Sequence, residues 1–99
     1  AQQICTDLQH QNYAGLYGLL SNTQRAAGDE AQFAASQRQL DVASGAVTRC
    51  SAAVVEGAGG KADVRFSVMR TQAGASTGQG SLVYENNSWR LDAYDAGVV

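Results

Sequence analysis

The chain has little that announces a chemistry. Its 99 residues hold one histidine, two cysteines and one tryptophan, and only 16% of them are charged. With His10 as the single histidine, and with neither an HxxxH nor a CxxC spacing, the ligands for a zinc site are lacking. No metal and no cofactor is expected. The seven basic residues are scattered and the net charge is −2, which argues against nucleic-acid binding, since that needs a basic patch. No stretch approaches the roughly 20 apolar residues of a membrane-spanning helix, so no transmembrane segment is expected in this chain. The chain opens at Ala1 without a methionine or a signal peptide. It is expected to be a trimmed or mature form whose targeting segment has been lost. Gln2-Gln3-Ile4 precedes Cys5 where a lipobox would carry small residues, so Cys5 does not read as a lipidated cysteine.

What is present is small-grained. Hydrophobic residues make up 44% of the chain, many of them alanine, and the length suits one domain spanning residues 1–99. Cys5 and Cys50 are expected to pair, as they would in an exported protein; the alternative is two separate buried thiols in a cytosolic one. A bond between them closes a long loop, an entropic stabilisation of about 4 kcal/mol in the chain-entropy model.

The clearest local pattern covers residues 80–94. Asn86-Asn87 between two strand-like runs suits a two-residue hairpin turn, because Asn tolerates the positive φ such turns require. Glu85 then faces Ser88, Tyr84 faces Trp89 and Leu82 faces Leu91. Leu82, Tyr84, Trp89, Leu91 and Ala93 fall on one side, and Ser81, Glu85, Ser88, Arg90 and Asp92 on the other, with Val83 the apolar misfit. One face is wet and the other must be covered.

Ahead of the hairpin, residues 2–10 read as a short helix with Ile4 and Leu8 on one face beside Cys5. Asn12 caps a second helix, Tyr13–Leu20, whose apolar stripe is Tyr13, Leu16, Tyr17, Leu19 and Leu20, and Ser21-Asn22-Thr23 stops it. Residues 23–28 form a link of unsettled conformation. Asp29-x-x-Gln32 resembles a capping box, and it opens a third helix with Phe33, Leu40 and Ala43 as a narrow stripe and Gly45 as its cap. From Ala46 to Glu56 the texture turns to β, with Val47, Val54 and Val55. Gly57-Ala58-Gly59-Gly60 reads as a flexible turn. Lys61–Thr71 alternates, with Ala62, Val64, Phe66 and Val68 on one face and Asp63, Arg65 and Ser67 on the other. Residues 72–79 read as a loop or a frayed strand start, and 95–99 as a tail. If Glu56 pairs with Lys61, Phe66 opposes Ser51 and Cys50 points away from that face. The Cys5–Cys50 bond then requires a β-bulge, another register, or an approach from the sheet edge.

This order of elements, helices followed by a curved antiparallel meander, resembles the nuclear transport factor 2-like (cystatin-like) superfamily. Three stretches carry the resemblance: Leu8 to Ser21, with its helix, polar break and Leu19-Leu20-Ser21; Phe33 through Gly45-Ala46-Val47-Thr48, a helix passing into the first long strand; and Leu82 to Leu91, a final hairpin with Trp89-Arg90-Leu91 after the turn. The resemblance implies an α+β fold, with N-terminal helices packed on a curved antiparallel four-stranded sheet to form a cone with a cavity inside. Within the superfamily the chain looks most like small exported bacterial domains, which occur as lipoproteins or as modules attached to membrane proteins and penicillin-binding transpeptidases. On that resemblance the chain is extracytoplasmic, secreted or cell-surface anchored, with any membrane tether outside this segment. Homodimerisation through the open sheet face is a further option it implies. No single function follows, because the fold hosts isomerases, dehydratases, binding modules and adaptors.

A ligand pocket in such a cone would draw on Tyr13, Tyr17, Phe33, Asp41, Phe66, Tyr84 and Trp89. The aromatic members serve equally well as core filling. A cone-type isomerase needs an internal carboxylate base and a hydroxyl donor. Asp41, beside Leu40, is the candidate acid, and Tyr13 or Tyr17 the candidate donor. Asp29 reads as a cap, Asp63 and Asp92 face outward, and Glu85 flanks a turn, so no catalytic residue is assigned. His10 lies five residues after Cys5, off its helix face, and is badly placed to activate it. Gly57–Gly60 lacks the following helix and the lysine of a phosphate loop. The expectation is a non-catalytic accessory or interaction domain for an unknown protein partner. The alternative is a small-molecule-binding domain or a cone-type isomerase or dehydratase.

Overall fold

In the computed structural model, which describes residues 2–95, four helices lead and a four-stranded antiparallel sheet follows, an α+β fold. The helices are α1 (Gln2–Gln9), α2 (Tyr13–Gly18), α3 (Asn22–Ala26) and α4 (Glu30–Ser44). The strands β1 (Val47–Ala58), β2 (Lys61–Arg70), β3 (Gly74–Glu85) and β4 (Ser88–Tyr94) form an open meander in the order β1-β2-β3-β4. Asp95 continues β4: its N–H donates to the Gln79 carbonyl at 2.9 Å, and its carboxylate accepts from the Gln79 N–H at 2.9 Å. Residues 96–99, read above as part of a tail, lie outside the described residues.

The helix ends follow from short polar side chains that satisfy free backbone groups. Asn12 accepts from the Gly15 N–H at 3.1 Å and starts α2. Asp29 and Gln32 form the reciprocal capping box that starts α4. Gly45 ends α4 at φ +88°, and a Cβ there would lie 2.7 Å from the Gln72 backbone nitrogen, so only glycine fits. The second helix is shorter than its apolar stripe suggests. After Gly18 the chain straightens, and Leu20 runs as a parallel bridge beside Leu91. The Ser21 N–H donates to the Leu91 carbonyl and the Leu91 N–H donates to the Leu19 carbonyl, both at 2.8 Å. The edge of β4 needed partners for its backbone, and this segment supplies them. The link at 23–28 contains α3, capped by Ser21.

The C-terminal hairpin has the expected turn and pairing. Asn86 and Asn87 stand at φ +54° and +63°, and Leu82 opposes Leu91, Tyr84 opposes Trp89 and Glu85 opposes Ser88. Below Leu82 a bulge intervenes, so Ser81 opposes Ala93 and Gly80 opposes Tyr94. The extra residue is Asp92. It sends Ala93 to the outer face, which corrects the expectation that Ala93 shares a face with Leu91, and it brings Tyr94 inward instead.

The first hairpin departs further from expectation. Its turn is the two-residue Gly59-Gly60, with Ala58 opposite Lys61. One extra residue at Val55 then shifts the ladder, so that Val54 opposes Val64, Ala52 opposes Phe66 and Cys50 opposes Val68. Because side chains alternate strictly along a strand, a single-residue shift exchanges the two faces. Cys50 therefore points inward, toward α1, and is bonded to Cys5 with a Cα–Cα separation of 5.2 Å, inside the usual range for a disulfide.

The core lies between α1, α2 and the inner face of the sheet. Phe66, Leu16, Leu91 and Cys5 are fully buried at its centre, with Val64, Leu20, Ile4 and Leu8 around them. Residues 74–79, expected as a loop or frayed start, are paired strand along β2. Just after this stretch Gly80 must stay small: a Cβ there would stand 2.9 Å from the Phe66 ring, so the aromatic takes the space a side chain would have filled. Native, unreduced protein should show no alkylatable thiol, and Cys50→Ser should lower the unfolding free energy by about 2–5 kcal/mol in a urea titration. Two freely alkylated thiols in the native chain would contradict the pairing.

Candidate functional site

The helices cover only part of the sheet. α1 lies on β1 and α3 against β4, which among the described residues leaves the turn ends of the first and last hairpins bare. Two clefts on the helix side result, and they differ in character.

The covered cleft, ≈ 440 Å³, opens between α2, α3, α4 and β4. Tyr17, Gln24, Phe33, Gln37 and Tyr94 line it. The Tyr17 and Phe33 rings meet at 5.8 Å, and the Tyr17 hydroxyl donates to the Gly28 carbonyl at 2.8 Å. Burial pushes the Tyr94 hydroxyl above the usual tyrosine range, so it stays a neutral donor. The polar side chains of the lining are mainly phenols and amides, set among the apolar Leu20, Ala27 and Phe33. Its one acid, Asp29 at the rim, is held by the Gln32 N–H at 2.8 Å. Such a site can orient a neutral polar molecule, but it presents no free carboxylate to take a proton.

The remaining acids are also committed or exposed. Asp41 accepts from the buried Arg70 guanidinium at 3.0 Å and from Gln11 at 3.2 Å. Asp7, only 4% exposed, accepts from Gln3 at 3.0 Å and from Asn12 at 3.4 Å, tying α1 to α2. Glu85 accepts from the Asn22 N–H, Asp92 from the Ser21 hydroxyl, and Asp95 from Gln79. Glu30, Glu56 and Asp63 stand in solvent. Among the described residues, no group of three or more His, Cys, Asp or Glu is placed to hold a metal ion. His10 is exposed, and Cys5 is closed in the disulfide.

The second cleft, also ≈ 440 Å³, sits at the bare hairpin ends. Val54, Gly57, Ala62, Leu82 and Trp89 line it, with Lys61 at the rim. Trp89 and Tyr84 form an edge-to-face pair with centroids 5.4 Å apart. The sequence pattern placed both rings on the side to be covered, but the helices stop short of them. Trp89 is 45% exposed, Tyr84 51% and Val54 60%. A third, shallow furrow of ≈ 670 Å³ crosses the outer face past Arg49, Ser51, Ser67 and Met69.

The seven residues named from sequence thus occupy separate places. Tyr17 and Phe33 share the covered cleft. Tyr84 and Trp89 share the bare end. Phe66 is core, and Asp41 is in the ion pair. Tyr13 is buried, with the Arg38 guanidinium 5.9 Å above its ring and its hydroxyl unpartnered. Sequence reading passed over Arg70, Gln37 and Asp7, the buried polar residues that shape these surroundings. Extending the Ala62–Val68 alternation by one step places Arg70 inside, and Asp7 lies on the helix face of Ile4 and Leu8. No protein-family model matches the chain, and a search of curated proteins returned no match.

Arg70 is 4% exposed and its guanidinium also donates to the Gly45 carbonyl at 3.0 Å. Removing its counter-charge strands a buried cation. Asp41→Ala should therefore lower stability by about 3–5 kcal/mol, while Asp41→Leu combined with Arg70→Met should recover much of that loss. Equilibrium denaturation of the three proteins checks this.

Proposed function

We propose that this chain is a non-catalytic interaction domain of an oxidising, extracytoplasmic compartment, and that it receives a protein partner at the bare hairpin ends of its sheet. The observation that carries the reading is the exposed apolar end itself. Trp89 and Val54 line a cleft that no side chain among the described residues fills, and Tyr84 stands exposed against Trp89 beside it. Solvent-facing aromatics beside an apolar cleft are what a protein interface uses as its anchor points. The cleft suits an aliphatic or aromatic side chain of the partner, with Lys61 at the rim able to pair with an acidic neighbour. The Cys5–Cys50 bond supports the compartment, because structural disulfides persist where thiols are not kept reduced. The helix-then-meander order supports membership in the nuclear transport factor 2-like superfamily as part of the same reading.

A second reading rests on the covered cleft. Its neutral lining of Tyr17, Gln24, Gln37 and Tyr94 favours an uncharged polar small molecule over acid–base chemistry.

A photo-cross-linking amino acid placed at position 89, in cells that make the protein, should form a discrete protein adduct. The same probe at Gln32, on the rim of the covered cleft, should form none. Adducts confined to the Gln32 probe, or no protein adduct at position 89, would overturn the docking assignment.

A further inference from the structure

The two edges of the sheet are treated differently. β4 is guarded by Leu19–Ser21, and its Asp92 carbonyl accepts from the Gln24 side chain at 2.6 Å. β1 is the other edge. Among the described residues its one backbone hydrogen bond outside β2 is near its start, where Gln9 donates to the Thr48 carbonyl at 3.2 Å. From Cys50 to Glu56, among the described residues, nothing but β2 bonds to its backbone. The strand carries neither lysine nor proline, and it presents Val54 and Val55 at 60% and 61% exposure. Its charges, Arg49 and Glu56, and its two bulges lie at the ends of this stretch, and the unblocked run between them, Cys50–Val54, is a template for pairing with another strand.

We infer that the occupant of this edge is a second copy of the same chain, joined β1 to β1 in antiparallel register about a two-fold axis at Ala52. Three observations select that register. The stretch Cys50–Val54 lies between two bulges and is regular, so it can pair without distortion. Residues directly opposite in a ladder share a face, so a dimer with matching faces sets Cys50 against the partner's Val54, Ser51 against the partner's Ala53, and Ala52 against the partner's Ala52. These side chains are small enough for the backbones to close.

The third observation is charge. Arg49 and Glu56 both lie on the outer face, opposite Met69 and Asp63 respectively. Neither forms an ion pair within its own chain among the described residues. Glu56 sits directly across the ladder from Asp63, a like-charge pair that is unfavourable by itself. With the axis at Ala52, Arg49 meets the Val55–Glu56 bulge of the partner, so each guanidinium enters the acidic corner made by Glu56 and Asp63. An axis at Ser51 or Ala53 leaves both charges opposite neutral residues. The join makes one eight-stranded sheet and leaves Trp89 and Tyr84 free; it shares Val54 with the docking cleft but draws on the edge of β1, an observation separate from the one behind the docking reading above.

Sedimentation of this chain over a wide concentration range tests the inference. The mass should rise from the 10.3 kDa of the monomer toward twice that value. Arg49→Glu alone and Glu56→Arg alone should each weaken association about tenfold, because each creates two like-charge contacts per dimer. The combined Arg49→Glu/Glu56→Arg chain should associate more tightly than either single reversal, since it restores the attraction between positions 49 and 56 even though the new carboxylate at 49 then faces Asp63, and that recovery separates the effect from damage to folding. Under mild oxidation Ala52→Cys should give a covalent dimer, and Ala53→Cys, two residues out of register with itself, should not. A chain that stays monomeric throughout, a dimer indifferent to the single reversals, or a double reversal that fails to recover would each overturn the proposal.

Discussion

Cys50 reaches α1 only because β1 carries one residue more than its partner strand between the Gly59-Gly60 turn and the core. Without the bulge at Val55 the two-residue turn would set Cys50 on the outer face, away from Cys5. With it, Cys50, Ala52 and Val54 continue the inner layer formed by Val68, Phe66 and Val64. The disulfide can then close across a sequence separation of 45 residues. That bond matters more here than in a larger protein. The core is short of large side chains, and Phe66 alone fills the centre of the sheet by occupying the space above Gly80. A core of this grain gains little from burial at its periphery, so a covalent link between the first helix and the edge strand holds elements that packing alone would hold weakly.

The opposite edge is held by polar contacts. Between Gly18 and Gln24 the chain lies along β4, joined by the paired backbone bonds of Leu19 and Ser21 to Leu91, by the Ser21 hydroxyl to Asp92 at 2.7 Å, and by Arg90 to the Gly18 carbonyl at 2.6 Å. The two devices leave a common gap. The disulfide pins α1 over the middle of β1, and the β4 clamp pins α3 over the lower part of β4. Neither extends to the turn ends, so Val54, Tyr84 and Trp89 stay uncovered. The surface proposed to bind a partner is a consequence of where the helices are anchored.

Much of this was legible in the residues. Strict alternation revealed β2, the Asn-Asn turn revealed the last hairpin and its pairing, and Asp29 with Gln32 marked the start of α4. The two errors of face share a cause. Bulges at Val55 and Asp92 leave no local signature in a sequence of small residues, yet each exchanges the faces beyond it. The Gly, Ser and Thr run before Gly80 looked unstructured because its strand character comes from pairing along β2, from Gly74 opposite Arg70 to Gln79 opposite Arg65, and not from its own residues. The covered cleft was half visible, since Tyr17 and Phe33 were named. Gln37 and Tyr94 were not, because the first sits among polar neighbours on its helix and the second is turned inward only by the Asp92 bulge.

The register of β1 against β2 is the element on which the disulfide, the inner layer and the bare hairpin end all depend. Cross-strand proton contacts in a nuclear magnetic resonance spectrum of the isotopically labelled chain read it directly. The account predicts contacts of Ala52 with Phe66 and of Cys50 with Val68. Contacts of Ala53 with Phe66, the pairing of an unbulged strand behind the Gly59-Gly60 turn, or of Ser51 with Phe66, the pairing set by a four-residue turn, would contradict it.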